Sequence, residues 1–117
     1  MIIYALVARG SLVLAEYTPH DGDFPSLARR ILVKSSGSKT KTSFTKDDFT
    51  FTFFSEDEFT FLCMTKADVS REVQHKFLDE LAGQFHAKYK KDDNSGKSWT
   101  AVLTLIIKEL IVMNNEK

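Results

Sequence analysis

Residues 2–8 read I-I-Y-A-L-V-A, an apolar run with no charged or strongly polar position on either alternation. A strand shows successive side chains to opposite faces, so Ile3, Ala5 and Val7 fall on one side and Ile2, Tyr4, Leu6 and Ala8 on the other. A strand that is apolar on both sides must be covered on both, which demands a sheet with one layer packed above it and another below. Arg9 ends the run, Gly10-Ser11 follows, and a second β-rich run covers Leu12–Tyr17. A two-residue loop led by glycine suits a II′-type turn, so the chain opens with a β-hairpin.

A chain of 117 residues, 43% hydrophobic and 27% charged, fits one ordinary globular domain spanning 1–117. Sixteen basic and sixteen acidic residues cancel, which argues against a nucleic-acid binder relying on bulk charge. The distribution is uneven: Arg29, Arg30, Lys34, Lys39, Lys41 and Lys46 come with no acidic residue between them, so one edge of the domain is positive. Cys63 is the single cysteine, which excludes an internal disulfide and fits a reducing compartment. The opening run has no basic segment before it and no small-residue cleavage site, and no stretch approaches a membrane span. Ile2 and the terminal Asn114-Asn115-Glu116-Lys117 carry no lipidation signal, so the polypeptide reads as soluble.

Past the hairpin, Asp23 is a candidate N-cap and Pro25 suits the first turn of a helix whose apolar residues are Phe24, Leu27, Ala28, Ile31 and Leu32. Ser35–Ser38 breaks it. Lys39–Lys46, with lysines and threonines around a lone Phe44, has the composition of an edge strand. Asp47-Asp48 is a turn, and the next strand sets Phe49, Phe51 and Phe53 opposite Thr50, Thr52 and Phe54. An acidic turn, Ser55–Glu58, leads to Phe59–Thr65, where Phe59, Phe61 and Cys63 alternate with Thr60, Leu62 and Met64. That strand is central and lies beside the first. Asp68 or Ser70 caps a long helix to about Tyr89, with Val73, Phe77, Leu78, Leu81, Phe85 and Tyr89 on one face. Ser98 caps a last helix with a core stripe of Trp99, Val102, Leu103, Ile106, Leu110 and Met113. The order is ββαβββαα, an α+β fold with a five-stranded, mainly antiparallel sheet, one helix on one face and two on the other.

The residues Tyr4–Gly10 (Y-A-L-V-A-R-G), Leu14-Ala15-Glu16, Phe24, Ile31–Lys34, Phe59–Thr65 (F-T-F-L-C-M-T) and Phe77–Leu81 (F-L-D-E-L) with Phe85 and Tyr89 resemble the longin domain of R-SNARE proteins, in particular the long VAMP-type branch. The resemblance runs from the start to about Tyr89. It implies a profilin-like fold on the cytosolic face of endomembrane vesicles, controlling SNARE assembly by folding back on its own SNARE motif and binding sorting adaptors. After Lys117 no heptad-repeat SNARE motif or membrane anchor follows in this chain, so a fragment and a longin protein without a SNARE half both fit. An assembly subunit of an adaptor or tethering complex is the alternative reading, and the oligomeric state stays open.

The residues do not assemble an enzyme. Gly96-Lys97-Ser98 lacks the earlier glycine and the preceding strand of a phosphate loop. Asp92-Asp93-Asn94 lacks calcium-loop spacing. His20, His75 and His86 make no zinc pair at i, i+4 spacing. Cys63, between Leu62 and Met64, reads as a buried structural thiol. No catalytic residue, metal ligand or cofactor is expected.

Binding is the better expectation. An edge strand beside an amphipathic helix leaves a groove between Leu27–Lys34 and Lys39–Lys46 for a peptide. Leu27, Ile31, Lys34, Lys41, Thr42 and Phe44 are its candidate residues. The resemblance implies that Thr42 and Phe44 mark the third-strand positions that touch a SNARE motif or adaptor peptide, and Thr42 replaces a larger apolar residue usual there. Phe44 either makes that contact or plugs the space under the first helix. The basic edge either steers an acidic partner or anionic lipid, or keeps the domain soluble. Leu105, Ile107, Ile111 and Val112 fall off the last helix's stripe and form a second candidate surface for a partner, a second copy or a downstream segment.

Overall fold

The structure is a computed structural model that describes residues 2–9, 12–18, 24–34, 41–56, 58–92 and 99–115. Among the described residues eight elements follow in the order β1 (Ile2–Arg9), β2 (Leu12–Tyr17), α1 (Phe24–Lys34), β3 (Thr42–Lys46), β4 (Phe49–Glu56), β5 (Phe59–Lys66), α2 (Arg71–Asp92) and α3 (Trp99–Asn115). The strands form one antiparallel sheet in the order β2-β1-β5-β4-β3. The strand with no polar alternation, β1, therefore lies inside the sheet next to β5, and β3 is an edge. Arg9 pairs with Leu12, so two residues close the first hairpin. The Gly10-Ser11 turn, the Asp23 cap, His20 and Gly96–Ser98 lie outside the described residues.

Two apolar layers cover the sheet. One joins Ala5, Val7, Phe59, Phe61 and Cys63 to Phe77, Leu81 and Phe85 of α2 and to α3. The other joins Tyr4, Leu6, Phe51, Phe53, Leu62 and Met64 to Ala28, Ile31 and Leu32 of α1. The two-sided demand of β1 is thus met by α1 on one face and by α2 and α3 on the other. The period of two assigns β4 and β5 correctly, but not the first residues of β1. Ile2 pairs with Thr65 and Tyr4 with Met64, leaving Ile3 as a bulge. A bulge sets two residues against one and reverses the alternation beyond it. Ile2 accordingly joins Ala5 and Val7 on the α2–α3 face rather than Tyr4 and Leu6. The Ile3 carbonyl accepts the Thr18 hydroxyl at 2.6 Å, which satisfies the irregular backbone.

Ser70 is the cap of α2: its Oγ accepts the Val73 N–H at 3.4 Å. Val73, expected in the core, is instead 37% exposed on the first turn. The inward position is taken by Gln74, whose amide accepts from Thr52 Oγ1 at 2.5 Å and donates to Thr65 Oγ1 at 3.0 Å and to the Val69 carbonyl at 3.2 Å. Thr52 also meets Ser43 Oγ at 2.8 Å, so a polar chain crosses from α2 to the edge strand.

The last helix corrects the sequence expectation. Leu103, Ile106, Ile107, Leu110 and Ile111 are buried, whereas Val102 and Met113 are exposed. A helix lying on a flat surface buries one narrow stripe, but α3 rests on β1, β2 and α2 together, and that crevice covers a wider sector. Ile107 and Ile111 are therefore core; Leu105 and Val112 stay exposed as expected. The end of α3 is clasped to β1, since the Asn115 side chain accepts from Ile2 N at 2.8 Å and donates to Ile2 O at 3.0 Å. No helix among the described residues is long and apolar enough to cross a membrane.

Asp47 and Glu58 hold positive φ angles, 58° and 80°, at the two tight turns around β4. Aspartate adopts the left-handed region with modest cost, which fits the Asp47-Asp48 hairpin between Lys46 and Phe49.

Candidate functional site

On the α1 face, Leu27 is half-buried against the cluster and Ile31 is buried within it. Thr42 is exposed and sits in register with Phe53; Phe44 sits in register with Phe51. Phe51 and Phe53 both belong to the layer under α1, so the register places Thr42 and Phe44 at the edge of that layer. The side chains of Lys34 and Phe44, and residues 35–40, lie outside the described residues.

The helix is tied to the sheet by a polar triad. Tyr4 Oη donates to Glu16 Oε1, and Arg29 donates to Glu16 Oε2 at 2.8 Å. Burial, then the Glu16 carboxylate it donates to, pushes the Tyr4 hydroxyl well above its ordinary range, which keeps it a donor. This arrangement orients α1 over β1 and β2 and uses one of the basic residues of the positive edge for packing.

Lys41 does not join the α1-face residues. Its Nζ lies 2.8 Å from Asp79 Oδ1 of α2 and 5.1 Å from the centre of the Phe54 ring. Phe54 belongs to the α2–α3 layer, so Lys41 serves the opposite face of the sheet from Leu27 and Ile31. There it lines a cleft of about 670 Å³ with Phe54, Glu56, Asp79, Gly83 and His86. His86 Nε2 meets Glu56 Oε1 at 2.9 Å across it. Toward the start of α2 a second hollow of about 390 Å³ lies between Thr45, Thr50, Val69 and Arg71. No local spacing links Lys41 to Asp79 or Glu56 to His86, because each pair joins elements that meet only in the folded chain.

Gly83 stands in the interior of α2, and a Cβ there would meet nothing within 4 Å. Glycine costs a helix interior conformational entropy with no packing in return. Gly83→Ala is expected to stabilise the domain by roughly 0.5–1 kcal/mol, raising the urea midpoint without changing the slope of the transition.

Cys63 is fully buried on central β5, and burial pushes its thiol far above the ordinary range. The protonated thiol packs as a small apolar group rather than serving as a nucleophile. Among the described residues no group of three or more His, Cys, Asp or Glu side chains could hold a metal ion.

Sheet and helices define the class: an α+β domain built on one antiparallel sheet, with a helix on one face, two on the other and β3 as an edge strand. The family model of the regulated-SNARE-like, or longin, domain matches residues 14–101. The chain belongs to the longin family. It is 40% identical over 88 residues to vesicle-associated membrane protein 7B of Dictyostelium discoideum, covering 75% of this chain and 34% of that protein. It is 36% identical over 108 residues to vesicle-associated membrane protein 724 of Arabidopsis thaliana, covering 92% of this chain and 47% of the relative. Vesicle-associated membrane protein 727 of Arabidopsis thaliana is 34% identical over 89 residues, 76% of this chain and 37% of its own length. The chain thus spans less than half the length of these relatives.

Proposed function

We propose that this domain is a regulatory, non-catalytic binding module of an R-SNARE in vesicle traffic, acting at the cytosolic face of endomembrane vesicles. It controls SNARE assembly by folding back on a SNARE motif and binds sorting adaptors. The observation that carries this reading is the longin match over residues 14–101, together with relatives named vesicle-associated membrane proteins. Leu27, Ile31, Lys34, Thr42 and Phe44 form the proposed peptide groove, supported by the register that sets Thr42 and Phe44 beside the layer under α1. The exposed Arg30 and Lys46 give this edge a positive field that speeds encounter with an acidic partner. Lys41 serves the other face and is not counted in the groove.

A heteronuclear NMR titration with a peptide covering the SNARE motif encoded by the same gene tests the reading. Shifts are expected at Leu27, Ile31 and Thr42, with at least about tenfold weaker binding in Phe44→Ser, the loss of one aromatic anchor. Absence of that motif from the gene, or shifts confined to α3, overturns the groove assignment. The second reading, an assembly subunit of an adaptor or tethering complex, draws on the exposed Leu105, Val112 and Met113 of α3. Stable co-purification with several other subunits favours it.

A further inference from the structure

The cleft on the α2 face already holds a cation, and that cation belongs to the domain itself. Lys41 Nζ rests on the Phe54 ring and against Asp79 Oδ1, with Glu56 on the same wall as the ring. An aromatic face and a carboxylate meeting at one ammonium are the elements from which cation receptors are built. We propose that this cleft receives an arginine side chain from an extended segment of a partner protein, and that Lys41 occupies the receptor in the free domain.

Three observations select arginine. The cleft, about 670 Å³, is far larger than an ammonium group and lies in the size range of ligand sites. Among the described residues its charged groups other than Lys41 are the carboxylates of Glu56 and Asp79, with His75 and His86 beside them, so a displaced Lys41 leaves these described walls with a negative sign. A guanidinium is planar and weakly hydrated; it stacks on a ring and forks onto a carboxylate, whereas an ammonium is a compact, strongly hydrated point charge. An incoming arginine therefore gains more from Phe54 and Asp79 than Lys41 loses on returning to water.

The walls suit exchange. The Asp79 side chain is 62% exposed, so the carboxylate that pairs with Lys41 is reached directly from solvent. Gly83 leaves the helix wall low, with nothing within 4 Å of where a Cβ would stand. A segment following β3, an edge of the sheet, passes the cleft at Lys41, the residue that immediately precedes the strand. The site faces away from α1 and does not depend on a peptide in the groove proposed above.

The test is an NMR titration of the isotopically labelled domain with a blocked tetra-arginine peptide at low salt, with tetra-glutamate as control. Lys41→Ala empties the receptor and is expected to strengthen tetra-arginine binding about tenfold, with shifts at Phe54, Asp79, Gly83 and His86. Adding Asp79→Asn reverses that gain, and Gly83→Leu, which fills the cleft from an exposed helix position, abolishes the shifts. Thermal unfolding of each variant confirms the fold; Asp79 and Gly83 are exposed, so their variants keep it. Weaker or unchanged tetra-arginine binding in Lys41→Ala overturns the proposal, as do shifts that survive Gly83→Leu or a tetra-glutamate response centred on Lys41.

Discussion

Phe61→Ala is expected to remove a large share of the domain's stability. Phe61 is fully buried on β5, between β1 and β4, and its ring lies 5.3 Å from Phe54 and 5.5 Å from Phe85. Truncating a buried aromatic removes its transfer free energy and leaves a cavity, at a cost of about 3–5 kcal/mol. A domain of this size holds about 5–15 kcal/mol in total, and each kcal/mol moves the melting midpoint by roughly 4 °C or more. A drop of at least about 12 °C is therefore the expected result by calorimetry. Cys63 supplies an internal readout, because its thiol reacts only when the sheet opens. Alkylation under native conditions should accelerate by at least about 100-fold in the variant, the factor that 3 kcal/mol implies at 1.4 kcal/mol per decade. A native thiol that labels at the rate of a free cysteine would mean that β5 is not central.

Gln74→Leu is the second large loss, and its cause is polar. The substitution keeps the volume but deletes the acceptor of Thr52 and the donor to Thr65 and the Val69 carbonyl. Thr52 and Thr65 are both fully buried, so water does not replace the missing partner. Thr52 keeps Ser43 Oγ at 2.8 Å and Thr65 keeps the Lys66 carbonyl at 3.1 Å, so neither hydroxyl is orphaned. Losing the two threonine bonds to the amide, each worth about 0.5–1.5 kcal/mol, sets the expected loss at roughly 1–3 kcal/mol. Adding Thr52→Val should recover part of it, since removing both partners of a buried hydrogen bond costs less than removing one. A double-mutant cycle in denaturant reads the coupling; additive losses would show that the amide and the hydroxyl act independently.

The amphipathic residues of α1, the Phe/Thr alternation of β4 and the central place of β5 were all legible in the chain, because each rests on a spacing repeated within one element. Gln74 was not, since a polar residue between Val73 and Phe77 carries no mark of the two threonines awaiting it on β4 and β5. The wide buried sector of α3 was not either: Ile107 and Ile111 become core only because α2 and β2 close on that helix from different sides. Leu27 and Ile31 pack in the layer under α1 and Thr42 stands in register with Phe53 of that layer, whereas Lys41 turns to the other face.

The sequence by itself determined the element order, the two-sided burial of β1 and the family, because hydrophobic periodicity and local motifs act within a few residues of one another. Only the tertiary structure decided the bulge at Ile3, the polar chain from Ser43 to Gln74 and the charged cleft of Lys41 and Asp79. Those features depend on register and on contacts between residues dozens of positions apart, where a single extra residue reverses a strand's alternation and one long side chain chooses its partner by proximity alone.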